Sequence, residues 1–103
     1  MRIIIGGAGR VGTELARALR AEEMDVVLVD SDSRAVKNAQ NLDVLVIHGD
    51  LTTREKLHEA GIGEAEIFVA ATNSDERNLL ACALAEHAHY QYGGPKAKPL
   101  LSI

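Results

Sequence analysis

Apolar residues fall in short unbroken runs along this chain, separated by polar stretches and glycine turns. The first run, Ile3-Ile4-Ile5, shows no polar alternation, the mark of a strand whose two sheet faces are both covered. Comparable runs predict strands over residues 2–5, 26–29 (closing at Asp30), 44–47, 67–71 and 100–103. The segments between them carry helical spacing. Val11, Leu15, Ala18 and Leu19 give residues 11–22 an inward stripe. Ser33 is placed to cap a second helix with Ala35, Val36 and Ala39 on its apolar side. Thr52 or Thr53 can cap a short third helix through Leu57 and Ala60, which Gly61 stops. The longest helix is predicted over 76–89, and Gly93-Gly94-Pro95 then breaks the chain. Five strands alternating with four helices predict an α/β fold, a Rossmann-like doubly wound parallel sheet of order 3-2-1-4-5 with right-handed crossovers. At 103 residues the chain reads as one domain over 1–103.

The turn after the first run gives this fold a purpose. Gly7-x-Gly9-x-x-Gly12 stands between a predicted strand and a predicted helix, the context the dinucleotide fingerprint requires. Gly7 permits the tight turn, Gly9 lets a pyrophosphate approach the backbone, and Gly12 lets the helix pack closely on the strand. The helix start at Arg10 and Val11 then offers free N–H groups and a positive dipole end to phosphates. Arg10 itself falls over the pyrophosphate position or stands solvated beside it. Asp30, at the end of the next strand, can accept hydrogen bonds from both ribose hydroxyls of an adenosine. A 2′-phosphate would meet its negative charge, so NAD or NADH is favoured over NADP. Ser31 and Asp32 follow in the same turn; Asp32 reads equally as a ligand contact or a capping acid.

The carboxyl ends of the other strands converge on the same crevice. Gly49 and Asp50 end the third strand, where Asp50 either approaches the adenine or caps a helix. Ala70, Ala71 and Thr72 end the fourth with small side chains that leave room for a ribose or base. Asn73, Asp75, Glu76 and Asn78 follow at the same mouth, either to read the second half of a ligand or to cap the long helix.

Composition narrows the classes. Hydrophobic residues make up 47% and charged ones 25%, and the net charge is −4 with no basic block, which argues against nucleic-acid binding. No apolar run approaches the ~20 residues needed to span a bilayer, and the N-terminus opens directly into a strand rather than a leader. Cys82, the one cysteine, suits a reducing compartment and reads as a small buried hydrophobe. The four histidines have no metal-ligand spacing and read as surface residues. No Ser/His/Asp order, HExxH or GxxxxGK[ST] occurs. The enzyme reading that remains is the cofactor-binding half of an NAD-dependent dehydrogenase, and the second domain such an enzyme needs has no counterpart here.

Taken together, Ile4-Ile5-Gly6-Gly7-Ala8-Gly9-Arg10-Val11-Gly12, Val29-Asp30-x-Asp32, Gly49-Asp50, Leu57-x-x-Ala60-Gly61-Ile62 and Ala70-Ala71-Thr72-Asn73-Ser74-Asp75-Glu76-x-Asn78 resemble the RCK domain. This is the nucleotide-binding N-terminal domain of TrkA-like regulators of Trk- and Ktr-type potassium transport. The resemblance spans residues 1–85. It implies a non-catalytic, cytoplasmic regulatory subunit that binds NAD(H), or ATP and ADP, and assembles at the inner face of the membrane on a potassium transporter subunit. It further implies that Arg10 and the glycine turn hold phosphates, that Asp30 holds the ribose, and that Asp50 and Thr72 line the base side. Beyond His87 the chain departs from the family: Gly93–Pro99 is long and proline-rich, and the chain stops at Ile103, short of the family's C-terminal elements, as a truncated version or a minimal homologue would. The apolar edge this leaves predicts at least a dimer.

Overall fold

A computed structural model describes all residues, Met1–Ile103. The elements are β1 (Arg2–Gly6), α1 (Arg10–Ala21), β2 (Asp25–Asp30), α2 (Ser33–Ala39), β3 (Leu45–His48), α3 (Arg54–Glu59), β4 (Ile67–Ala70), α4 (Asp75–Gly93) and β5 (Leu101–Ser102). Short 3₁₀ turns at Ile62–Glu64 and Gly94–Lys96 join α3 to β4 and α4 to β5. The five strands are parallel and lie in the order β3-β2-β1-β4-β5, as the alternation of strand and helix predicted. Central β1 explains the unbroken isoleucine run. Ile4, paired with Val27 and Phe68, faces Leu57, Ile62, Ala81 and Ala85 on the α3/α4 side. Ile3 and Ile5 face Ala16 and Ala39 on the α1/α2 side. Each buried isoleucine, valine or leucine here, removed from water, contributes about 1.5–3 kcal/mol.

Several details depart from the predicted stripe, each for a physical reason. Val11 is 67% exposed and Ala18 is exposed, whereas Gly12 and Ala16 are buried. A Cβ on Gly12 would collide with the Gly7 carbonyl oxygen. The helix therefore docks through its smallest residues, and that docking rotates Val11 and Ala18 outward. Asp32, not Ser33, caps α2, its carboxylate accepting the Arg34 N–H at 2.9 Å. Thr53 is the α3 cap. Helix α4 continues past His89 to Gly93, and Gly94 at φ +68° ends it.

His89 corrects the reading of the histidines as surface residues: it is 1% exposed. Its ring nitrogens face the Ile62 and Lys98 carbonyl oxygens and so tie α4 to the turn before β4 and to the segment leading into β5. His58 and His87 are exposed as expected. Cys82 is half-buried against Ala70, and its burial pushes the thiol pKa up.

The fold predicts a contrast between two glycines three residues apart. A Cβ on Gly9 meets nothing within 4 Å, while one on Gly12 meets backbone that cannot yield. Gly12→Ala is expected to destabilise by about 3 kcal/mol and Gly9→Ala by less than about 1 kcal/mol. Urea unfolding measures both; equal losses would contradict the docking described for α1.

Candidate functional site

The loop from β1 to α1 is built by backbone geometry. Gly7 has φ +123°, which side-chain-bearing residues rarely adopt, and a Cβ there would stand 2.6 Å from the Ala71 carbonyl oxygen. Its N–H donates to the Val29 carbonyl at 2.8 Å. The next N–H, of Ala8, donates to Asp30 Oδ2 at 2.7 Å, while Asp30 Oδ1 accepts the Asp32 N–H at 2.8 Å. One carboxylate thus fastens the glycine loop to the turn after β2, and each oxygen keeps a lone pair for a further donor. Gly9 is the N-cap of α1, and no side chain caps that helix, so its first N–H groups stay open to an anion.

Across the mouth, β4 ends against the same loop through Ala71 N–H and the Gly6 carbonyl at 2.8 Å. Thr72 is clamped from both sides by one side chain. Its N–H and hydroxyl donate to Asn78 Oδ1, and Asn78 Nδ2 donates to the Thr72 carbonyl at 3.2 Å. Asn78 is therefore committed to the turn at Thr72, a role other than the ligand contact or helix cap expected from its sequence position. Ser74 caps α4, its hydroxyl accepting the Arg77 N–H at 3.2 Å.

These ends enclose a cleft of about 430 Å³ at the carboxyl edge of the sheet. Of the residues singled out from sequence, Gly7, Gly9, Arg10, Val11, Asp30, Ser31, Asp32, Ala71, Thr72 and Asn73 line it. Gly12 lies beneath, buried at the docking contact. Gly49 and Asp50 do not line the cleft: Gly49 packs on the Lys56 side chain, and Asp50 accepts bonds from Thr52 and Arg77. Three further lining residues, Ala35, Leu51 and Arg77, escaped the sequence reading. Leu51 is a buried core residue that also forms the cleft floor. Arg77 sits in the first turn of α4, and its pairing with Asp50, 27 residues away, is not signalled by the residues around it. A hollow of similar volume lies among Arg20, Glu23, Met24 and Asp43. It has no uncapped helix start and no glycine turn, so the cleft at the carboxyl edge is the candidate site.

The cleft carries two cations and two carboxylates, Arg10 and Arg77 against Asp30 and Asp32. Arg10 is 90% exposed, with only a long 3.4 Å contact to Glu14. Arg77 reaches across to Asp50 at 3.0 Å. Donation from the Thr52 hydroxyl and N–H, followed by Arg77, holds the Asp50 carboxyl below the usual aspartate range, against an opposing effect of partial burial. The folded state therefore favours ionised Asp50. Its contribution to stability is complete above the ordinary unfolded value near pH 4 and is lost as pH falls through the lowered folded value. The stability gap between the wild type and Asp50→Asn is expected to be largest above about pH 5 and to shrink in more acid solution. Thermal melts across that range provide the check, and a gap that widens with acid would contradict the assignment.

Comparison with known proteins agrees with this architecture. The TrkA-N domain model matches residues 3–93. A Trk system potassium uptake protein TrkA homolog of Pyrococcus abyssi is 41% identical over 104 residues, covering 100% of this chain and 44% of the relative. The Trk system potassium uptake protein TrkA of Vibrio alginolyticus is 42% identical over 86 residues, covering 82% of this chain and 19% of its own. The chain thus spans less than half the length of these curated relatives. Among solved structures, the Shewanella denitrificans Kef CTD in AMP-bound form superposes with a TM-score of 0.75 at 26% identity, covering 99% of this chain and 57% of that one. With the strand order, the glycine turn and the match over residues 3–93 in agreement, this chain belongs to the TrkA-N domain family.

Proposed function

We propose that this chain is the nucleotide-sensing part of a potassium-uptake regulator, with NAD or NADH as its ligand and ATP or ADP as the alternative. The observation that carries the reading is the convergence, in one cleft, of an uncapped helix start, a glycine turn and the Asp30 carboxylate. In this reading Gly7, Gly9, Gly12, Arg10 and Val11 form the phosphate cradle. Asp30, with Ser31 and Asp32 beside it, takes the ribose. Ala71, Thr72 and Asn73 face the second half of the ligand, and Gly49 and Asp50 back the base side. The AMP bound by the similar Kef domain and the potassium-uptake names of the relatives support the assignment.

In this reading the regulator is non-catalytic, in keeping with the potassium-uptake names of its relatives. Its partner is a membrane potassium transporter subunit, approached from the cytoplasm at the inner face. No helix is long and apolar enough to cross a membrane itself. The signal is a change in packing between subunits, limited in energy to the ligand's differential affinity for two states. Self-association fits the exposed apolar residues: Leu79 (76%) and Leu80 (52%) on α4, and Leu101 and Ile103 along the β5 edge.

Calorimetric titration with NAD, NADH, NADP, ATP and ADP tests the ligand. Asp30→Ala is expected to weaken NAD binding by about 1.5–3 kcal/mol and to narrow any preference over NADP. Gly9→Val should abolish binding while the fold survives. Unchanged affinities in both variants would refute the cleft as the nucleotide site. Turnover of NADH with 2-oxo acids, dependent on this chain, would refute the non-catalytic reading. Light scattering is expected to find a dimer or larger assembly; a monomer up to about 100 μM would count against self-association.

A further inference from the structure

Helices α1 and α2 cover the same face of the sheet, and a hollow of about 390 Å³ opens between them. Gly9, Arg10, Asp32 and Ala35 border both this hollow and the cleft, whereas Arg17, Arg34, Asn38 and Asn41 line the hollow alone. Helical spacing brings these groups together: residues 10, 13 and 17 share one face of α1, and residues 34 and 38 share one face of α2. The hollow carries three guanidinium groups and one carboxylate, Asp32, in a chain whose net charge is −4. Arg2, Arg10, Arg20 and Arg77 each reach a carboxylate, but Arg17 and Arg34 form no ion pair. Glu14, one turn before Arg17, lies against Arg10 instead. The hollow around Arg20 is the reverse case: it holds three carboxylates, Glu23, Asp25 and Asp43, and Arg20 is paired with Asp43. The α1/α2 hollow is thus a concave place where unneutralised like charges converge, and a bound anion relieves their repulsion.

From this we infer that the α1/α2 hollow is a second ligand site, distinct from the nucleotide cleft, and that Arg17 and Arg34 hold there the dianion of a small phosphate monoester. The planar fork of each guanidinium can make two parallel bonds to phosphate oxygens. The excess of two positive charges over the one carboxylate matches a phosphate dianion; a single carboxylate ligand would leave one charge unanswered. The hollow has room beyond a phosphate group for a small organic body, and the amides of Asn38 and Asn41 offer donors and acceptors to its hydroxyls. Neither Arg17 nor Arg34 lines the cleft, so substitution separates the two sites. The assignment stands whatever the cleft binds.

Titration of the ¹⁵N-labelled chain with inorganic phosphate and with glycerol 3-phosphate tests this, with chloride holding the ionic strength fixed. Saturable amide shifts are expected at Thr13–Arg17 and Arg34–Asn41, and glycerol 3-phosphate should bind at least as tightly as inorganic phosphate. Arg17→Gln and Arg34→Gln should each weaken binding about tenfold or more. Arg54→Gln, which removes an unpaired arginine from α3, should change it less than about twofold. Thermal melts confirm that each variant is folded. Shifts confined to Gly7–Gly12 and indifferent to Arg17→Gln and Arg34→Gln would overturn the site, as would equal weakening by all three variants. No saturable shift up to about 10 mM would overturn it too. NAD titrated into Arg17→Gln in phosphate-free buffer reads the cleft separately, and its affinity should stay within about twofold of the wild type. Equal loss of NAD and phosphate binding in that variant would merge the two sites and overturn the inference. Phosphate binding at Arg17 and Arg34 by a protein that does not bind NAD would support the second site and refute only the nucleotide reading.

Discussion

The carbonyl oxygen of Gly7 lies so close to the α-carbon of Gly12 that no side chain fits between them. Much of the molecule follows from this contact. It seats α1 on the sheet through Gly12 and Ala16 and fixes the rotation of the helix. That rotation aims the uncapped first turn of α1 along the carboxyl edge of the strands. It also turns Val11 out to the rim of the cleft, where a side chain facing the core could not serve. The loop held in this way exposes the Ala8 N–H, which Asp30 accepts, so the two loops flanking the cleft share one fastening.

Much of this was legible in the sequence. Strand order was readable because the strands that cover both faces of a parallel sheet are unbroken apolar runs, and β1 is the clearest of them. The glycine spacing was readable because each glycine answers a backbone demand that no other residue meets. What escaped lies where tertiary packing overrides local pattern. Val11 and Ala18 match a helical stripe, yet the docking of Gly12 rotates them out. Asp32 and Ser33 are both good caps, and only the turn held by Asp30 decides for Asp32. His89 looks like its exposed neighbour His87; its burial comes from two carbonyls that local sequence does not bring to it, those of Ile62 and Lys98.

The candidate site divides in the same way. Residues at strand ends and in the glycine turn are placed by topology, so most of those chosen from sequence line one cleft. Arg77 is placed by a partner 27 residues away, Asp50, and adjacency along the chain does not encode that pairing. Asp50 in turn looked like a cleft residue because it ends a strand, but it does not line the cleft and its carboxylate is taken up by Thr52 and Arg77. Topology accounts for the cradle, and long-range ion pairing accounts for its rim.

The central claim is that this cleft holds an adenine nucleotide across the carboxyl edge of the sheet. The most direct measurement is the change in backbone amide resonances of the ¹⁵N-labelled chain on titration with NAD and, separately, with ADP. The largest shifts are expected at Gly7–Gly12, Asp30–Asp32 and Ala71–Asn73, saturating together with one affinity. Saturable shifts centred elsewhere, for example around Glu64, His89 and Lys96, with the glycine loop unmoved, would contradict it.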